Sequence, residues 1–141
     1  MTAHKIVKST EAEKDIIGDH IVEYNRAHAA FTQVEDFTSV NYHICDDGGK
    51  IIAGIIALMY CWKVIYIDVL FVLENHRNKG LGSTLLKHIE GIAKSEDAHL
   101  IHLDTFSWQS RDFYLKHDFE IFGILDDCPK GYKRYYMKKV L

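Results

Sequence analysis

Six consecutive residues, Arg77, Asn78, Lys79, Gly80, Leu81 and Gly82, join an apolar run to a helical pattern. Upstream, Leu70, Phe71, Val72 and Leu73 end a stretch rich in Ile and Val. Downstream, Leu81, Leu85, Ile89 and Ile92 recur at the spacing of one helix face. The first turn of a helix leaves backbone N–H groups without partners and carries partial positive charge. Glycines there let a ligand approach the backbone without meeting a Cβ. Arg77 and Lys79 add two cations before that turn, and Ser83 and Thr84 add hydroxyls within it. Together these parts predict a pyrophosphate seat. A Walker-type GxxxxGK[ST] run does not occur in the chain. A GxGxxG dinucleotide fingerprint fits less well, because Leu85 stands where its third glycine belongs and Gly80 begins several residues after the strand. Asp104 nevertheless lies near the place of that motif's ribose-binding acid.

Asp68 is the only charge in the apolar run 64–73. Strand side chains two apart share a face, so Tyr66, Asp68, Leu70 and Val72 are expected to point the same way. Burial would raise the pKa of Asp68 toward that of a useful base. The other reading is a structural acid paired with a nearby cation, and the residues alone leave both open. His43 on a neighbouring strand and an ordered chain of waters are further candidates for proton removal. Cys61 lies in an apolar run and reads as packing. Three cysteines without a CxxC pair, and nine histidines without ligand spacing, predict neither a disulfide framework nor a metal site.

The elements that must position these residues follow from periodicity. A short strand is expected over 5–9. Thr10 and Glu13 have the spacing of a capping box, and Ile17, Ile21 and Tyr24 continue a helix to about Asn25. Residues 26–39 read as a second short helix or a loop. Val40, Tyr42 and Ile44 alternate with Asn41 and His43, as in a half-buried strand. The run Asp46, Asp47, Gly48, Gly49 is a hairpin turn signal. Residues 51–73 are long enough to span a bilayer. Lys63 and Asp68 would each cost roughly 2.5 to 3.5 kcal/mol near a membrane helix centre, so two strands broken around Trp62 and Lys63 are expected instead. A helix over 80–94, a strand over 99–105, a short helix over 110–117 and strands over 119–125 and 132–138 complete the chain. The helix between two strands is a crossover, which would make those strands parallel.

With the motif and its flanking elements in place, the sequence resembles the GNAT family of N-acetyltransferases. That family carries [Q/R]-x-x-G-x-[G/A] between its fourth strand and third helix, and residues 77–82 match it in full. About thirty residues on, Phe113, Tyr114 and Phe119 match the family's Phe-Tyr and following Phe. Ser107 stands at its Asn position, Ser110 at its Ala position and Asp118 at its Gly position. The resemblance is tight over 66–119 and loose elsewhere.

What the resemblance implies is an α/β fold, with a mixed, mostly antiparallel sheet of six or seven strands, flanking helices and one domain over 1–141. It implies acetyl-CoA as the acetyl donor. Coenzyme A would be held by Leu70, Phe71, Val72, Arg77, Asn78, Lys79, Gly80, Leu81, Gly82, Ser83, Thr84, Ser107, Ser110 and Tyr114. Tyr114 falls at the family's general-acid position, where a phenol suits a thiolate leaving group. The backbone N–H of Val72 is implied as the oxyanion donor, beside a strand bulge that the sequence does not display. In some members a glutamate serves as base on this strand, at the position of Tyr66, two residues from Asp68. The base matters because a lysine-like amine is only about one part in a thousand neutral at pH 7.4, a handicap of about 4 kcal/mol. Asn41, Tyr42, Tyr66, Tyr132 and Arg134 are the expected acceptor contacts, Arg134 toward a carboxylate.

The expected reaction is direct transfer to the primary amine of a small molecule, such as an amino acid, a polyamine or an antibiotic-like compound. A protein or peptide acceptor, and a non-catalytic acyl-CoA-binding module, are the alternatives. A formal net charge of −3 argues against a nucleic-acid partner. The first residues lack the apolar core of a secretory signal, so a cytoplasmic, membrane-free location is expected. A homodimer is possible by analogy with the family.

Overall fold

The computed structural model describes residues 3–141. These residues divide into one unit ending at Phe31 and another running from Thr32 to Leu141.

The first unit contains helix α1 (Glu11–His28). The capping box forms as expected: Glu13 N–H donates to Thr10 Oγ1 at 3.2 Å, and Thr10 N–H donates to Glu13 Oε1 at 3.0 Å. The helix extends three residues past Asn25. His28 Nδ1 lies 2.8 Å from the carbonyl of Tyr24 in its last turn. The strand expected over 5–9 is not formed, and these residues are exposed and unpaired. A strand needs a partner for its N–H and C=O groups, and without one the residues' β propensity is insufficient.

The second unit is a seven-stranded mixed sheet, α/β in class. Its strands are β1 (Phe37–Ser39), β2 (Tyr42–Cys45), β3 (Ile51–Tyr60), β4 (Val64–Val72), β5 (Leu100–Phe106), β6 (Glu120–Asp126) and β7 (Lys133–Val140). The order is β1-β3-β4-β5-β7-β6, and β2 follows β1 along the same edge of β3. Only β4 and β5 are parallel, because helix α2 (Leu81–Ser95) returns the chain between them. The apolar stretch 51–73 is indeed two strands, broken at residues 61–63. No helix among the described residues is long and apolar enough to cross a membrane. Residues 26–39 supply β1 as well as a loop, and the strand expected over 40–44 is shifted to Tyr42–Cys45.

One face of the sheet is the core. Ala53, Ile55, Ala57 and Met59 of β3, Ile65 and Ile67 of β4, Ile101 and Leu103 of β5, and Met137 of β7 are buried against Leu85, Leu86, Ile89 and Ala93 of α2. Fully burying a Leu or Ile side chain is worth about 1.5–3 kcal/mol, so this contact fixes where α2 begins relative to the end of β4. The short helix α3 (Arg111–Lys116) adds Tyr114 to the same core.

Candidate active site

The pairing of β4 breaks at one residue. Ile56 pairs with Val69 and Ala57 with Ile67, so Asp68 is an extra residue in β4. Such a bulge exchanges the faces of the residues that follow it. Ile65 and Ile67 face the core before it, and Leu70 and Val72 pack against the core after it. Tyr66, Asp68, Leu70 and Val72 therefore do not share a face, contrary to the simple alternation. Asp68 is exposed on the bulge, not buried as the apolar run leads us to expect.

Beyond the bulge β4 also leaves β5. The two strands pair only from Val64 with Leu100 to Ile67 with Leu103. A wedge opens between Val69–Val72 and the end of β5, and a cleft of about 850 Å³ fills it. Leu73 N–H donates to Ile52 O at 2.9 Å. Because antiparallel pairing alternates, Leu70 and Val72 then direct their backbone groups away from β3, into the wedge. Arg77 Nε reaches Val72 O there at 2.9 Å, and its guanidinium lies 5.5 Å from the Phe71 ring centre.

The start of α2 forms one end of the cleft. Gly80 is the N-cap at φ 81°, a left-handed conformation that favours glycine. The first helical bond is Thr84 N–H to Gly80 O at 3.0 Å, so the N–H groups of Leu81, Gly82 and Ser83 precede it and have no helical partner. A Cβ on Gly82 would meet the Phe113 ring of α3 at 3.4 Å, an ordinary packing contact. Ser83 Oγ lies 2.9 Å from His117 Nε2, which ties the end of α3 to the start of α2.

Of the residues expected to hold coenzyme A, Leu70, Phe71, Val72, Arg77, Asn78, Gly80, Leu81, Gly82, Ser83, Ser110 and Tyr114 line this cleft. Lys79, Thr84 and Ser107 do not. Thr84 Oγ1 turns back to Gly80 O at 3.0 Å. Ser107 Oγ accepts from Lys133 N–H at 3.2 Å and so closes the loop after β5. His76, Trp108, Gln109, Lys116 and His117 also line the cleft and carried no sequence signal. Only their placement by α3 and two loops brings them together.

Tyr114 is 5% exposed, packed against Phe113 and Phe119 with ring centres 5.2 and 5.6 Å away. It lines the cleft; its hydroxyl has no hydrogen-bond partner among the described residues and is not sealed from solvent. Burial, and then the charge of Asp104, push its pKa up to about 12. It remains a neutral phenol at any ordinary pH.

The expected acceptor residues fall into separate places. Asn41 Oδ1 accepts from Ala57 N–H at 3.0 Å, filling the gap between β1 and β2, so its carbonyl is already engaged within the sheet. Tyr42 packs edge-on to His88 of α2 at 4.4 Å. Asn41, Tyr42 and His43 line a second, apolar pocket of about 350 Å³ rather than the wedge. Tyr132 meets Trp108 edge-on at 5.2 Å, and Trp108 stacks on Phe106 at 4.7 Å.

Tyr66 and Arg134 do converge, on Asp104. Tyr66 Oη donates to Asp104 Oδ2 at 2.7 Å. Arg134 Nε and Nη2 both donate to Asp104 Oδ1, at 2.9 and 2.6 Å. Asp104 lines the cleft beside Ile67 and Asp68. Its side chain is 15% exposed and that of Arg134 31%, so the pair is partly withdrawn from water. Burial and the bond to Asp104 raise the Tyr66 pKa to about 12. Asp104 was visible in the sequence only as an alternative ribose-binding acid, because its partners are remote in the chain.

The wedge between two parallel strands, the bulge beside it and the glycine-started helix agree with the family that the sequence resembles. Residues 10–119 match the Acetyltransferase (GNAT) family, and the chain belongs to it and is an acetyltransferase. It is 35% identical to an acetyltransferase of known structure from Bacillus cereus ATCC 14579, with 98% of each chain covered and a TM-score of 0.87. It is 25% identical over 100 residues to blasticidin-S acetyltransferase of Streptomyces morookaense, covering 70% of this chain and 73% of that one. An aminoglycoside 6'-N-acetyltransferase solved in complex with coenzyme A shares the fold, with a TM-score of 0.64 at 14% identity and 96% and 97% of the two chains covered.

Proposed function

We propose that the protein transfers an acetyl group from acetyl-CoA to the primary amine of a small molecule, by direct transfer in the wedge between β4 and β5. The observation that carries this reading is the cleft's construction. Unpaired backbone donors stand at the start of α2, and strand groups turned away from β3 lead from them toward the hydroxyl of Tyr114. The residues present suit a diphosphate followed by an amide-bearing arm. The family match over 10–119 spans both units, which supports one functional domain over 1–141. The blasticidin-S acetyltransferase relative supports a small-molecule acceptor.

When bound, acetyl-CoA supplies an acetyl thioester, and the chain's residues divide the remaining tasks. Leu81, Gly82 and Ser83 offer N–H groups to the diphosphate, with Arg77 and Lys116 near it. The N–H of Leu70 takes the charge that develops on the acyl oxygen. It stands nearer than Val72 to the apex of the wedge at Ile67 and Leu103, so the oxyanion role passes to Leu70. Tyr114 holds its proton until the thiolate departs and then donates it. Asp68, exposed at the apex, receives the amine's proton directly or through water.

Thermal unfolding with acetyl-CoA, followed by an amine panel read by free-thiol release, tests the reading. At a hundredfold above Kd the ligand adds about 2.7 kcal/mol, or roughly 5 to 15 °C for a chain of this size. No shift, and no thiol released with any amine, would overturn it.

A further inference from the structure

We infer that Arg134, Asp104 and Tyr66 form a preset receptor for a cationic acceptor amine, in which Tyr66 Oη receives an N–H of the amine and Asp68 balances its charge. This rests on the wedge being the transfer site and goes on to name the acceptor class.

The direction of the hydrogen bonds carries the inference. Arg134 places two donors on one oxygen of Asp104, which leaves the other for the Tyr66 hydroxyl. Both partners together fix the carboxylate's rotation. With its proton committed to Asp104, Tyr66 Oη presents only lone pairs to a ligand, so it accepts and does not donate. An amine or ammonium is the matching partner, and a carboxylate or phosphate is not.

The charge pattern points the same way. Arg134 and Asp104 cancel, and among the described residues Asp68 has neither an ion pair nor a hydrogen bond. Asp68 is close enough to act electrostatically on Tyr66. The uncompensated charge at the apex is therefore negative. Arg134, the candidate for an acceptor's carboxylate, is committed to Asp104 and packed near the rings of Phe106 and Tyr136, at 5.3 and 5.5 Å. An amine without a neighbouring carboxylate fits this surround, and an α-amino acid does not. Asp104 lines the cleft and Tyr66 lies beside that lining; in this proposal Tyr66 Oη meets the acceptor, and Asp104 and Arg134 act through it as positioning residues.

The test compares amines with their carboxylated counterparts, cadaverine against lysine and tyramine against tyrosine, by initial rates of thiol release. The decarboxylated amine of each pair should have at least a tenfold higher kcat/KM. Tyr66→Phe and Asp104→Asn should each raise the amine KM about tenfold and leave the acetyl-CoA KM unchanged, a split that general misfolding would not produce. Tyr66→Phe keeps the ring, so it serves if Asp104→Asn fails to fold. Unchanged amine KM in the folded variants, or preference for the amino acids, overturns the inference. So does failure of the wild type to acetylate either decarboxylated amine while its acetyl-CoA thermal shift is intact. Loss of that shift would instead overturn the acetyltransferase site itself.

Discussion

Ile67 faces Leu103 in the last pair that joins β4 to β5. One residue further along β4, Asp68 has no partner on β3. The sheet thus opens on one side of β4 at the point where the other side slips register. The opening creates the cleft, and the slip turns Leu70 and Val72 toward the core while their backbone groups face the gap.

This relation makes the number of residues in β4 more important than the identity of Asp68. Deleting Asp68 would remove the bulge and make the β3–β4 ladder continuous, with Leu70 and Val72 kept in register and on the core face. The expected result is a folded protein whose straightened β4 no longer parts from β5 at the bulge, with no thermal shift on adding acetyl-CoA. Asp68→Ala retains the count, so it should keep that shift and lose turnover alone. Differential scanning fluorimetry with and without acetyl-CoA distinguishes the two, and an intact shift in the deletion would sink the account.

Tyr114→Phe removes a hydroxyl that has no hydrogen-bond partner among the described residues. Folding should change by less than about 1 kcal/mol, while kcat falls on the order of a hundredfold. Since the Tyr114 pKa is pushed up to about 12, the wild-type rate should show no alkaline loss from this group below about pH 11. A variant with full kcat would remove Tyr114 from the proton path.

Gly80→Ala tests the phosphate seat. At φ 81° an alanine costs about 1 kcal/mol or more in the left-handed region, and relief of that strain would turn the first N–H groups of α2. The variant should melt a few degrees lower and bind acetyl-CoA at least tenfold more weakly by calorimetry. Gly82→Ala, whose Cβ would make only ordinary contact with Phe113, should bind within a few-fold of wild type. Equal losses in both would argue against the N-cap conformation as the cause.

His102 predicts a pH dependence of stability. Its ring lies under Tyr66 at 5.1 Å and its Nε2 lies 2.8 Å from Tyr60 Oη. Burial lowers its pKa from 6.5, partly opposed by the charge of Asp104. The unfolded chain therefore binds the proton first as pH falls. Stability contributed by neutral His102 is present above about 6.5 and declines as pH drops through and below that value. Chemical denaturation at pH 8 and at pH 5.5 should show the loss, and His102→Gln should reduce it. An unchanged pH slope in the variant would assign the dependence to other groups.

Much of this was determined by local sequence. Residues 77–82 fixed the glycine-started helix because its signals, an apolar strand, positive-φ glycine and helical periodicity, are all short range. The same holds for the capping box at Thr10 and Glu13, for the turn at Asp46 to Gly49, and for the break that makes two strands of residues 51–73. Tertiary structure alone decided the rest. Whether 5–9 pairs depends on an available sheet edge. The bulge at Asp68 depends on the register of β3, and Asp104 gained its meaning only when β4, β5 and β7 brought Tyr66 and Arg134 to it from 38 and 30 residues away. Propensity and periodicity act over a few residues, whereas register and convergence are set by how distant strands close on a common core.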